Sequence, residues 1–211
     1  MKSPFDSLGT TVALGVVITV LMVLAVMGIA DHAEGAGLPE GHGGLAMFAA
    51  RWAHVVSGVM WIGLLWYFNF VQVPTMAELP AELKPAVGKF IAPRALWWFR
   101  WAAASTVLFG VALAGAGGYI GQALALGLTD GGADNATIGF GMWFALIMAF
   151  NVWFIIWPNQ KKALGIVTVS DDEKKKAARM AFLASRTNTM LSLPMLFAMV
   201  GMRHAAIYLV G

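Results

Sequence analysis

Cysteine is absent from the 211-residue chain. With it go disulfides, thiolate metal sites, iron–sulfur clusters and haem bound covalently through C-x-x-C-H. Charge is scarce as well. Asp, Glu, Lys and Arg make up 12% of the residues, against about 25% in a soluble domain. A net charge of +3, dispersed along the chain, gives no footprint for nucleic acid. Walker, G-x-G-x-x-G, G-x-S-x-G and H-E-x-x-H signatures are missing, and no internal repeat is visible.

What fills the chain is apolar. Hydrophobic residues make up 59%, and mean hydropathy is +0.73. Five apolar segments stand out, at about 10–30, 45–73, 95–115, 138–157 and 187–210. Crossing a bilayer core takes about 20 such residues. The expected fold is therefore all-α: an integral membrane bundle of about five transmembrane helices in a lipid bilayer. Residues 1–211 are expected to form one membrane domain, with no room for a soluble module. The first segment is expected to be retained. Its apolar core is longer than a signal peptide's, and its basic flank is Lys2 alone.

Orientation follows from the basic residues. With the N-terminus inside, twelve lie on the inner side, among them Lys84, Arg94, Lys161, Lys174 and Arg186. Arg51 and Arg203 alone lie on the outer side. This positive-inside bias predicts a bacterial inner-membrane protein with a cytoplasmic N-terminus and a periplasmic C-terminus. Trp97, Trp98 and Trp157 fall at the inner interface, as an aromatic belt does.

Ser170-Asp171-Asp172-Glu173 reads as a capping box, starting a cytoplasmic helix over about 171–186 that can run into the fifth segment. Pro194 is expected to kink that segment. Glycines 110, 115, 117, 118 and 121 would allow close helix contact near the outer end of the third segment, and with it homo-oligomerisation. Asn69, Gln72, Asn151, Asn159 and Gln160 gather near the inner helix ends, where amides bind substrate or bond across helices.

An ionisable group inside a bilayer is a functional candidate. His54 lies about nine residues into the second segment, on a face with Arg51, Gly58 and Trp61. Gly58, one turn away, leaves room for a flat macrocycle. The competing reading is a histidine bonded within the bundle. His204 lies near the outer end of the fifth segment, with Gly201 one turn deeper and Arg203 adjacent. Helical side chains lean toward their own N-terminus, so in antiparallel helices the two imidazoles converge in depth. That pattern suits a b-type haem with His54 and His204 as axial ligands and its propionates toward Arg51 and Arg203. His42, near the mouth of the second segment, is an alternative ligand. His32 and His42 sit beside Asp31, Glu34 and Glu40, but their spacing matches no tight metal motif.

Four stretches carry a family resemblance: RWAHVVSGVMWIGLLWYFNFVQVP from Arg51, PRALWWFRWAA from Pro93, NVWFIIWPNQKK from Asn151 and SRTNTMLSLPMLFAMVGMRH from Ser185. Together they resemble the membrane domain of the bacterial membrane-bound urate oxidases. More distantly, His54, Gly58, Trp61 and Gly63 form an H-x3-G-x2-W-x-G pattern. It is similar to that of the short membrane protoporphyrinogen oxidases, which use haem, and of the copper-resistance membrane proteins. The first resemblance implies a redox protein that oxidises urate to 5-hydroxyisourate and passes electrons to cytochrome c. Full-length members carry a C-terminal cytochrome c domain, and this chain has no cysteine to attach such a haem. Electrons are then expected to leave to a separate cytochrome or quinone. The alternative is a non-catalytic subunit that carries electrons or stabilises a larger membrane complex.

Overall fold

The computed structural model describes residues 7–32, 44–129 and 131–201. The chain divides into two units, Met1–Gly44 and Leu45–Gly211. The first contains helix α1, Leu8–His32. The Thr11 and Thr19 hydroxyls donate to the carbonyls of Ser7 and Gly15, four residues back, at 3.0 and 2.9 Å. Polar side chains in an apolar helix are thereby satisfied within it.

The second unit is helical throughout its longer elements, and no strand occurs among the described residues. Helix α2 starts as Gly44–Trp66, widens into the π-helical segment Tyr67–Gln72 and ends as Val73–Glu78. Helix α3 starts at Lys84–Ala86, widens at Val87–Ile91 and continues as Ala92–Ala116. After the short α4, Ile120–Leu124, helix α5 runs Ala136–Phe150, widens at Asn151–Ile156 and ends as Trp157–Ala163. Helix α6 is Asp171–Gly201.

Three rods, Ala46–Glu78, Lys84–Ala116 and Ala133–Ala163, are long and apolar enough to cross a membrane. They match the second, third and fourth apolar segments; the first runs past the inner end of its segment, and the other two run past both ends of theirs. The expected cytoplasmic helix and the fifth segment, as far as Gly201, form one continuous helix, with Pro194 inside it. Ser170 caps its start. The Ser170 hydroxyl accepts from the Glu173 amide at 3.3 Å, and Asp171, Asp172 and Glu173 fill the first turn, where the helix dipole favours anions.

Each π-helical segment has the same cause. Pro74, Pro93 and Pro158 each stand two residues after one ends. A proline has no N–H to give, and its ring collides with the carbonyl four residues back. The residue before each proline instead bonds five residues back: Val73 to Phe68, Ala92 to Val87 and Trp157 to Val152. The helix thus continues through the proline as a widened turn instead of stopping.

The core of this unit lies where α2, α3, α5 and α6 present one stripe each. Trp61, Leu65, Phe99, Met148 and Val152 are completely or almost completely buried within it. Residues on the opposite faces are apolar and exposed, as at Val59, Leu108, Phe154 and Phe197. A soluble monomer does not leave so broad an apolar surface open.

Candidate functional site

His54 points into the bundle against α3. Its Nδ1 lies 2.8 Å from the backbone carbonyl oxygen of Thr106. A carbonyl only accepts, so Nδ1 carries the proton and donates. The neutral ring then has its lone pair on Nε2. This is the arrangement that orients a metal-binding histidine from its far side. The Thr106 hydroxyl bonds to Ala102 O at 2.7 Å, so the side chain does not compete with its own carbonyl for the imidazole.

The ring fits because residue 110 is glycine. A Cβ there would stand 2.8 Å from His54 Cε1 and 3.1 Å from Nδ1, closer than any side chain could stay. Of the glycines expected to permit close approach, Gly110 does so, and what approaches is the imidazole. At Gly58 a Cβ would meet Thr106 Cγ2 at 3.8 Å, an ordinary contact.

The other residues expected at this site divide clearly. Trp61 is fully buried on the His54 face, and its Nε1 has no hydrogen-bond partner among the described residues. Arg51 is exposed, and Gly201 is buried in α6. His204, Arg203 and His42 lie outside the described residues, as does the side chain of His32.

Toward the other end, around Lys161 and Lys174, the helices are joined by side-chain polar bonds. Trp66 Nε1 donates to Ser192 Oγ at 3.0 Å, and Asn69 Nδ2 donates to Ser185 Oγ at 2.8 Å. Asn151 Nδ2 donates to Asn188 Oδ1 at 2.8 Å, and Asn188 Nδ2 donates to Met148 O at 2.9 Å. Asn69, Asn188 and Ser192 are all buried. Asn159 bonds within its own helix, to Ile155 O at 2.8 Å. A cavity of about 310 Å³ opens here, lined by Asn69, Gln72, Gln160 and Ser185 among apolar side chains that include Phe68 and Phe99.

Several of these residues escape a reading of the sequence. Asn188 and Ser192 share a stripe with Ala181, Ala184 and Met195, and that spacing marks them as buried. Arg100 counts there toward the topology signal, yet it is only 9% exposed. Its guanidinium carbon lies 3.4 Å from the centroid of the Trp157 ring. The role of Thr106 depends on a backbone carbonyl, which leaves no mark in side-chain pattern.

Fold and site together define a helical protein with three membrane-spanning-length rods and an oriented, inward-facing histidine. The family described as urate oxidase N-terminal matches residues 124–210. This is the family that the four motif stretches resemble, and two of them, from Asn151 and Ser185, fall within the match. No curated protein and no solved structure matches the chain.

Proposed function

We propose that this is a membrane redox protein of the urate oxidase type, holding a b-type haem between His54 and His204. The observation that carries the reading is the register of α2 on α6. Residues 66 and 69 of α2 bond to residues 192 and 185 of α6, so the two helices lie side by side and antiparallel. His54 stands twelve residues before Trp66, and His204 stands twelve after Ser192. These equal offsets along the sequence support taking the two histidines as partners. The Nδ1–Thr106 bond supports the same reading, because it leaves Nε2 of His54 with the lone pair that iron needs.

The residues fit the group chemically. Two imidazoles would suffice to hold the iron, and the bundle would tune it through burial and hydrogen bonding. Arg51 and Arg203 would supply the cations for the propionates. When bound, the haem supplies one-electron storage and transfer. The match to the urate oxidase family supports urate as the substrate. Its oxidation to 5-hydroxyisourate takes one water and releases two electrons and two protons. The electrons leave to a separate cytochrome c or a quinone. The exposed apolar faces and the basic inner loops support insertion in a bacterial inner membrane with the N-terminus cytoplasmic. Gly115 and Gly121 face open space, which supports contact with a second copy there.

The test is an anaerobic spectrum of the purified protein. A Soret band, a b-type pyridine haemochrome and reduction of that haem by urate are expected. A haem reduced by quinol or cytochrome but not by urate would leave a non-catalytic electron carrier. A colourless preparation would leave His54 as a purely structural residue.

A further inference from the structure

The amide-lined cavity stands apart from the His54 site. Asn69 is about fifteen residues further along α2, or roughly 22 Å by helical rise. Proline produces the cavity's shape: Phe68, Asn69 and Gln72 belong to the widened turn before Pro74, and Ile156 to the one before Pro158. A widened turn pushes side chains out of helical register, and such turns recur at functional sites.

Two acceptors in this wall are buried and find no donor among the described residues. They are Asn69 Oδ1 and Gln72 Oε1. The orientation of the Asn69 amide is fixed, because its Nδ2 donates both to Leu65 O at 2.9 Å and to Ser185 Oγ at 2.8 Å. Its oxygen therefore needs a donor from elsewhere. A buried carbonyl left without one costs about 1–3 kcal/mol. The rest of the wall includes Phe68 and Phe99, packed edge to face with centroids 5.7 Å apart. Next to Phe99 in sequence, Arg100 stacks on Trp157, and its Nε and Nη1 have no hydrogen-bond partner among the described residues.

We infer that the cavity binds a small, flat, nitrogen-rich heterocycle that donates N–H bonds along one edge and carries at most one negative charge. The apolar side chains take its faces, and the Gln72 carbonyl, once its amide turns toward the cavity, takes an N–H group. Neither oxygen is open to solvent as the side chains stand. Binding therefore includes a turn of the Gln72 amide about its terminal torsion, which is soft. Oxidised purines and cyclic ureides have this edge; lipid chains and quinones do not. The inference rests on the proposed urate chemistry for its ligand class and not on the haem.

Urate is the probe, offered to the full chain purified in detergent and measured by equilibrium dialysis. Gln72→Leu removes one acceptor, and Ala178→Phe fills the cavity from α6, where the residue is exposed at the rim. Asn69 is left alone because it also ties α2 to α6. Both variants are expected to bind urate at least tenfold more weakly than the wild type. Urate methylated on all four nitrogens, which has no N–H to donate, is expected to bind at least tenfold more weakly to the wild type. His54→Ala is expected to bind urate normally. Thermal unfolding of Gln72→Leu and Ala178→Phe near the wild-type temperature excludes misfolding as the cause. Three outcomes overturn the inference. In the first, both variants hold urate as well as the wild type. In the second, urate is lost in His54→Ala and kept in Gln72→Leu, which puts its site at the other end. In the third, the wild type binds no urate, which leaves water as the occupant.

Discussion

The two ends of the 45–201 bundle solve the problem of polarity among apolar helices in opposite ways. At the His54 end a glycine removes a side chain so that one imidazole can reach the backbone of the next helix. At the lysine-rich end prolines widen three helices, and amides fill part of the space with interhelical bonds. The first device is tight and uses one hydrogen bond to aim one nitrogen. The second is loose and leaves two acceptors without donors. Close packing suits a group that must be held in a single orientation. Widened turns suit a molecule that comes and goes.

The strongest break in this comparison is His54→Ala. It is expected to abolish the b-type haem spectrum and, because Thr106 O loses its donor, to lower thermal stability, while leaving urate dialysis close to wild type. Equal loss at both ends would mean that the ends are not separate. Asn188→Ala comes next and acts on stability. It leaves the Asn151 amide and the Met148 carbonyl without their cross-helix partner. Within apolar surroundings the expected cost is about 2 kcal/mol. A lower denaturant midpoint with an unmoved Soret band is the expected result.

Gly110→Ala and Gly58→Ala sharpen the comparison further. Both are glycine to alanine in a helix, worth up to about 1 kcal/mol in favour of alanine from propensity alone. At Gly110 the new methyl would strike the imidazole at 2.8 Å. The ring has to turn, and the bond to Thr106 O is lost with it. Haem retention is expected to fall about tenfold and the Soret maximum to shift. At Gly58 the nearest atom is 3.8 Å away, so the spectrum should stay and stability should rise slightly. Equal spectra in both variants would separate the imidazole from the haem.

How much of this is legible in the sequence depends on how local the cause is. The long apolar runs expose the rods, and Ser170 with Glu173 exposes the start of α6, because caps and runs are written in consecutive residues. Helix length past Pro74, Pro93 and Pro158 is not legible in the same way. A proline beside an apolar run reads as a boundary, before the run at Pro93 and after it at Pro74 and Pro158, whereas the widened turn lets the helix continue. Asn69, Gln72 and Gln160 stand out as polar residues at helix ends, but the cavity between them is a property of four helices. Gly110 is legible as a close approach, though not as the seat of His54. The pairing of residues 66 and 192 is invisible to any local pattern, and the argument for His204 rests on it.

The smallest effect, and the finest test of the comparison, is expected from Pro74→Ala. Proline in a helix interior costs about 3 kcal/mol relative to alanine. Most of that cost is already avoided here, because Val73 bonds back to Phe68 O and the ring escapes the carbonyl it would otherwise strike. Alanine restores an N–H at residue 74 and permits the ordinary bond to Phe70 O. The turn then tightens, and Phe68, Asn69 and Gln72 swing relative to α6. A net gain in stability below about 1 kcal/mol is expected, since one added helical bond is offset by disturbance of the Asn69–Ser185 contact. Urate binding should weaken several-fold, while the haem spectrum, which reports on His54 roughly 22 Å from Asn69 along α2, stays unchanged. A more stable protein that still binds urate fully would show that the proline serves helix continuity and not the cavity. A disturbed Soret band would show that the widened turn sets the register of α2 as far as His54, and the two ends would then have to be treated as one device.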